Sequence, residues 1–301
     1  MVITIPKDSE KRNPLFSKLS IGDTMRHQVI SLPGSHNIAA ALRTFLKYKI
    51  DAVLIEDDHG LPAGVVTKTE ITGAYYAAMP LETPLADIMG SPVIHCSADD
   101  TLESALMTMQ NAAIHRVFVT DDTGRARGTL SYPDIVGTLY KFCCDCEYSL
   151  RNKMTADSKA KLRYSVREVM RRDVITAVKE ETIMEVIEKI SSYHLGALLI
   201  VDSQQKPVGV ISKTDLTLAY GRNIGVENSA DTIMQSPVQL CDSELPLEEG
   251  IRKMVLAEIS RLFVYSENEN VVTGVLSLSD AARIRSGSCQ ACSSSRIKVK
   301  E

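Results

Sequence analysis

Short apolar runs alternate with amphipathic stretches along the chain, and the alternation comes round about every sixty residues. Residues 29–32 predict a strand, stopped by Pro33-Gly34. A helix capped at Ser35 follows. Its Ile38, Leu42, Phe45 and Leu46 recur at the three- and four-residue spacing that gathers side chains on one helical face. Residues 52–55, Ala-Val-Leu-Ile, form an apolar strand, residues 57–60 a turn, and residues 64–67 another strand. Residues 68–79 predict a second helix, ended by Pro80. The order is βαββα. Residues 117–120, 198–201 and 262–265 are counterparts of the inner strand in three later copies, and the turn at residues 121–124 joins one of them to the next strand.

Repetition is the organising feature. The phrase GVISKTDL at residues 209–216 reads as a strand running into a helix start, and related phrases occupy residues 64–70, 128–134 and 274–280. Thr67 and Ser212 lie 145 residues apart, as do Met25 and Met170, and Met89 and Met234; Ser131 and Ser277 lie 146 apart. Within the first half, Met25 to Met89 and Thr67 to Ser131 are both 64 residues. The chain therefore divides into units at residues 20–80, 84–142, 165–223 and 229–286, with an arm at 1–19, a Cys-containing linker at 143–164 and a tail at 287–301. One unit supplies a three-stranded sheet with an apolar face left over. Pairing units side by side would bury that face, which predicts two modules of two units each.

Composition narrows the function classes. A net charge of −4 over 301 residues, 5% aromatic content and no Trp argue against a nucleic-acid partner or a base-stacking platform. No apolar run approaches the roughly 18 residues of a membrane span, and the N-terminal stretch lacks a signal-peptide core. Seven cysteines, an odd number, fit a reducing cytoplasm. There is no GxxxxGK loop, HExxH or GxSxG. His27, His36, His59, His95 and His194 are scattered and read as solvated or packed. The expectation is a non-enzyme, because arm, linker and tail are each too short for a catalytic or helix-turn-helix domain.

The residues also carry a family resemblance. Met170-Arg-Arg-Asp-Val-Ile-Thr176, then Ala197-Leu-Leu-Ile-Val-Asp202, then GVISKTDL resembles the cystathionine β-synthase (CBS) domain, and the pattern returns four times over residues 20–141 and 165–286. The resemblance implies an α/β (α+β) fold of four βαββα CBS repeats paired into two Bateman modules. It also implies a stand-alone regulatory sensor that binds an adenosine-containing ligand between paired units, signals to a separate protein partner and forms a homodimer. AMP, ADP or ATP leads among the ligands, and S-adenosylmethionine remains open. Carried over, the ribose contacts are Ser131 with Asp134, Ser212 with Asp215, and Ser277 with Asp280. Thr67 keeps the hydroxyl in the first unit, but Glu70 replaces Asp and would push its carboxylate toward the ribose. A helix-capping box explains each of these pairs without a ligand. His115 with Arg116, and Arg261, resemble the family's phosphate contacts, whereas the first and third units carry Asp51-Ala52 and Gly196-Ala197 in their place.

The cysteines fall outside the resemblance. Cys143 and Cys146 match Cys289 and Cys292, each pair 146 residues apart. Two CxxC pairs supply four thiolates of the kind that hold zinc or an Fe–S cluster. Three readings stay open: a shared metal site, a thiol–disulfide switch and an inert inherited pair. A metal or redox sensor on a CBS scaffold is therefore the rival function. Cys96 and Cys241, 145 apart at the ends of first strands, predict core packing, with a place beside the adenine.

Overall fold

The computed structural model describes residues 19–138 and 164–282. The first copy runs β1 (Ser31–Pro33), α1 (Ile38–Tyr48), β2 (Ala52–Glu56), β3 (Pro62–Thr67) and α2 (Lys68–Tyr76). The second runs β4 (His95–Ser97), α3 (Leu102–Asn111), β5 (Arg116–Thr120), β6 (Ala126–Ser131) and a helix α4 whose described part is residues 132–138. A short α5 (Val166–Val169) precedes the third copy, β7 (Thr176–Val178), α6 (Ile183–Ser192), β8 (Ala197–Val201), β9 (Pro207–Ser212) and α7 (Lys213–Gly221). The fourth is β10 (Leu240–Asp242), α8 (Leu247–Leu256), β11 (Arg261–Tyr265), β12 (Val272–Ser277) and α9, described over residues 278–282.

Each copy builds its own three-stranded sheet. The middle strand pairs parallel with the first, across a helix, and antiparallel with the third, across a tight turn. β2 and β8 are buried over most or all of their length, which explains why they read as continuous apolar runs and not as alternating ones.

Two local expectations change. The cap of α1 is Asn37, whose side chain accepts from Ala40 N at 3.0 Å, and not Ser35. Asn37 has the extended backbone of an N-cap, and its short amide reaches the first turn as well as a serine would. Leu46 is half exposed, while Ile38, Ala41, Leu42 and Phe45 are buried. It sits about 100° round the helix from Phe45, at the edge of the apolar stripe.

The repeated Met and Gly prove to be partners exchanged between neighbouring copies. Arg26, next to Met25, bridges to Thr129 in the second copy, while Gly90, next to Met89, bridges back to Val65 in the first. A Cβ on Gly128 would stand 2.5 Å from the Met25 sulfur, and Gly64 is covered in the same way by Met89. Gly209 under Met234 and Gly274 under Met170 repeat the arrangement at 2.6 and 2.5 Å. Glycine recurs there because a methionine from the other copy already fills the side-chain space.

Apolar burial runs in two directions, one expected and one not. One core joins the first and third copies, gathering Phe45, Ile71 and Tyr75 with Ile187, Leu216 and Tyr220. A second joins the second and fourth, gathering Leu106, Met109 and Ile135 with Ile251, Met254 and Ala281. Side-by-side pairing of the third and fourth copies buries the sheet face the helices leave over, as expected, in a cluster around Leu199, Val201 and Phe263. Helices that follow the last strand of each copy add a second set of contacts, across the module boundary. None of the described helices is long and apolar enough to cross a membrane.

Candidate functional site

Between the first two copies lies a cleft of about 90 Å³. Ile30, Tyr48, Ile50, Ala52 and Phe118 give it apolar walls, and Arg26, Gln28, Arg116 and Thr129 give it polar groups. Backbone bonds of 2.9 Å in both directions between Arg26 and Thr129 fix where Arg26 starts. Its Nε donates to Asp134 Oδ1 at 2.5 Å. The other oxygen, Oδ2, accepts from Ser131 N at 2.9 Å and from Ser131 Oγ. The Asp134 carboxylate therefore serves two masters, a helix start and an arginine.

Arg116 stands at the beginning of β5 and crosses to the first copy, where Nη2 donates to Asp51 Oδ1 at 2.5 Å. Its Nε is buried without a hydrogen-bond partner among the described residues. Burial alone would raise the Asp51 carboxyl, but Arg116 and Lys68 outweigh it and hold the group below the ordinary carboxylate value. Asp51 also ties down the next helix, since its carbonyl accepts from Lys68 N at 3.1 Å.

The second module repeats half of this arrangement. Arg171 reaches Asp280 Oδ1 at 3.0 Å, and Ser277 Oγ donates to Asp280 Oδ2 at 2.5 Å. Arg261 corresponds to Arg116, but Gly196 stands where Asp51 would be. The guanidinium fills the space a Cβ on Gly196 would need, and its Nη1 has only the Ala197 carbonyl at 3.4 Å. No carboxylate comes within ion-pair distance of Arg261 among the described residues. Burial draws it down to about 10; Asp280 opposes the shift and Arg171 adds to it.

The helix-start acids of the first and third copies, Glu70 and Asp215, make no ion pair among the described residues. Glu70 folds back to complete a capping box on Thr67, so the extra methylene leads to the helix start and not toward the cleft. Buried Asp215 accepts from Ser212 N at 2.8 Å and Ser212 Oγ at 2.6 Å. Gly90 and Gln235 replace the two arginines at these sites. Lysines from the opposite module face them instead. Lys68 Nζ donates to Thr214 Oγ1 at 2.8 Å, and Lys213 Nζ to Thr69 Oγ1 at 2.9 Å. Burial lowers both lysines; Asp51 and Asp215 counter it at Lys68, and Glu70 counters it at Lys213.

The CBS domain family's pattern matches residues 21–77, 85–141, 166–222 and 230–287, one stretch for each structural copy and most of the chain. The protein belongs to the CBS-domain family. An uncharacterized protein of Methanopyrus kandleri is 32% identical over 123 residues, 40% of this chain and 62% of that protein, so the match spans less than two thirds of it. The protein MJ1225 of Methanocaldococcus jannaschii is 22% identical over 196 residues, 65% of this chain and 68% of its own. Its crystal structure superposes with a TM-score of 0.74 at 16% identity, covering 89% of this chain and 100% of that one. A protein from Pyrococcus horikoshii gives 0.58 at 17% identity, covering 88% and 99%. These structural likenesses extend across both modules of the CBS-domain protein and establish the fold.

Arg116 thus lines the cleft, and Asp134, with Ser131 behind it, is tied to the lining residue Arg26; Arg261, Asp280 and Ser277 hold the corresponding positions in the second module. Thr67, Ser212 and Asp215 lie toward the other module. The His115 ring meets buried Tyr132 edge-on, with centroids 5.6 Å apart, and is not among the residues lining the cleft. Cys96 and Cys241 are buried in the core shared by the second and fourth copies, away from the lining of the cleft. Cys143, Cys146, Cys289 and Cys292 lie outside the described residues. Sequence reasoning missed Arg26, Arg171, Lys68, Lys213 and the partner role of Asp51. The signal was available: positions 26 and 171, and 68 and 213, are basic in both halves at the same 145-residue offset.

Proposed function

We propose that this CBS-domain protein is a regulatory sensor that takes an adenosine-containing ligand, with AMP, ADP or ATP leading, in the clefts between paired copies. The observation that carries this reading is the composition of one cleft. Aromatic and aliphatic walls suit a purine and Arg116 supplies donors for an anionic 5′ group, while Asp134, paired at 2.5 Å with the lining residue Arg26, is the nearby acceptor for ribose hydroxyls. The cleft volume of about 90 Å³ is smaller than a nucleotide, so binding moves exposed Arg26 off Asp134 and parts the two copies. Because the large cores and the lysine contacts run across the module boundary, such a movement reaches the other half of the molecule and alters the surface offered to a separate protein partner. No catalytic role is assigned to any residue. Calorimetric titration with AMP, ATP and S-adenosylmethionine tests the reading; heats indistinguishable from dilution for all three at millimolar concentration would sink it.

A metal or redox function for the CxxC pairs rests on one observation, their 146-residue register. Metal analysis and an absorption spectrum after anaerobic purification decide it. Less than half an equivalent of zinc and iron would remove the metal form of the reading.

A further inference from the structure

The two modules differ most sharply at the position occupied by Asp51 in one and Gly196 in the other. The basic residues and their ion pairs around it are matched. The first cleft has Arg116 and Lys68 with the Arg26–Asp134 pair; the second has Arg261 and Lys213 with the Arg171–Asp280 pair. Across the boundary, Lys68 faces Asp215 and Lys213 faces Glu70. Two acids differ between the modules: Asp51 has no counterpart in the second, and exposed Asp173 stands where Gln28 lines the first cleft.

We propose that the Asp51-to-Gly196 exchange beside the cleft arginine sorts ligands by the charge of the 5′ group: the second module takes a phosphorylated adenosine, and the first takes an adenosine compound whose 5′ group is uncharged or cationic. The inference rests on the adenosine reading above. In the first cleft, a phosphate must displace Asp51 from Arg116, where the two are 2.5 Å apart, and then sit beside the released carboxylate. That exchange replaces one anion by another on the same guanidinium and adds a repulsion. In the second module, part-buried Arg261 has a backbone carbonyl at 3.4 Å and no ion pair among the described residues. An arriving phosphate is its first anionic partner, with Lys213 and Arg171 near enough to contribute. A neutral thioether or a sulfonium in the first cleft leaves the Arg116–Asp51 pair intact and gains from the carboxylate if positively charged.

The test uses the full chain and three probes: AMP, 5′-methylthioadenosine (a neutral thioether) and inorganic pyrophosphate. Each is titrated calorimetrically into wild type, Gly196→Asp and Asp51→Gly. Gly196 does not have the positive φ that bars a side chain, and the atoms a Cβ would meet belong to the movable end of Arg261. An aspartate there can pair with Arg261 as Asp51 pairs with Arg116, so the variant is expected to melt like wild type. Gly196→Asp should weaken AMP and pyrophosphate about tenfold or more while leaving 5′-methylthioadenosine within about twofold. Asp51→Gly should add a second site for both anions. A folded Gly196→Asp variant with unchanged AMP and pyrophosphate isotherms overturns the charge assignment and leaves the adenosine reading standing. If pyrophosphate binds and is lost in Gly196→Asp while neither adenosine compound binds wild type, the adenosine reading falls and the anion assignment of Gly196 and Arg261 holds. Silence from all three probes overturns both.

Discussion

The rings of Tyr75 and Tyr220 stack 5.0 Å apart and 18° from parallel, and each hydroxyl donates to the backbone of the other's copy. Tyr75 reaches the Ile224 carbonyl at 2.7 Å and Tyr220 reaches the Met79 carbonyl at 2.5 Å. This reciprocal clasp, flanked by the crossed Lys68–Thr214 and Lys213–Thr69 contacts, joins the two modules through equivalent residues 145 positions apart. Burial holds both phenols in the neutral, donating form, pushing Tyr75 up to about 12.

Removing one hydroxyl should therefore cost stability without disturbing the stack. Tyr75→Phe leaves the Ile224 carbonyl without its donor and should lower unfolding free energy by about 1 kcal/mol. Tyr220→Ala removes a buried ring and should cost about 3–5 kcal/mol. Urea denaturation of the single and double variants reads both. A double-variant cost equal to the sum of the singles would mean that the Tyr75 hydroxyl bond forms independently of the Tyr220 side chain.

The exchanged methionines make a sharper demand on packing. Gly209→Ala places a methyl group where the Met234 sulfur sits, 2.6 Å from the new carbon, and should destabilise by about 1–3 kcal/mol. Shortening the methionine in the same protein should return part of that loss. The Gly209→Ala, Met234→Ala double variant is thus expected to be more stable than additivity predicts, as measured by thermal or urea unfolding. Additive losses would show that the glycine is kept for another reason.

Four copies were legible in the sequence because βαββα periodicity, turn residues and the 145-residue offset all agree. So was the role of Thr67, Ser131 and Ser212 as helix starts, since capping is decided within three or four residues of chain. What stayed hidden depends on contacts between copies. Arg116 read as an open phosphate contact, and only the fold brings Asp51, 65 residues earlier, to its guanidinium. Side-by-side pairing does bury the sheet faces left over, as Leu199 and Val201 against Phe263 show, but the packing of the helices across the modules was not foreseen. Ile71, Leu216 and Tyr75 look like any amphipathic stripe in sequence, and nothing local says that their partner is 145 residues away in place of 64.

Cys241 offers a pH test of the core. It is 1% exposed, and burial is the main cause that pushes its thiol up to about 11. The unfolded chain loses this proton near pH 8.5, so above that value the unfolded state binds fewer protons and stability falls as pH rises toward 11. The slope from this one group is at most about 1.4 kcal/mol per pH unit. Below pH 8 it contributes none. Replacing Cys241 by Ala should flatten the curve between pH 9 and 11 relative to wild type in urea titrations, after subtraction of a constant cavity cost. Parallel curves would place the alkaline instability elsewhere.

Asp215 separates capping from ligand binding, the two explanations its sequence setting allows. It is buried, its Oδ2 is committed to Ser212, and among the described residues it carries no arginine of the kind that occupies Asp134 and Asp280. As a cap alone, Asp215→Ala costs about 1 kcal/mol of stability and leaves ligand affinity unchanged. As a ribose acceptor, it costs the same stability and weakens an adenosine ligand about tenfold or more, because two hydroxyls lose a charged partner. Ser212→Ala is the control: it damages the same helix start but leaves the carboxylate in place, so its effect on stability should be similar and its effect on affinity much smaller. Calorimetric titration paired with urea unfolding on both variants reads the two quantities separately. Equal affinity losses in Asp215→Ala and Ser212→Ala would assign the effect to the helix start and withdraw the ribose role.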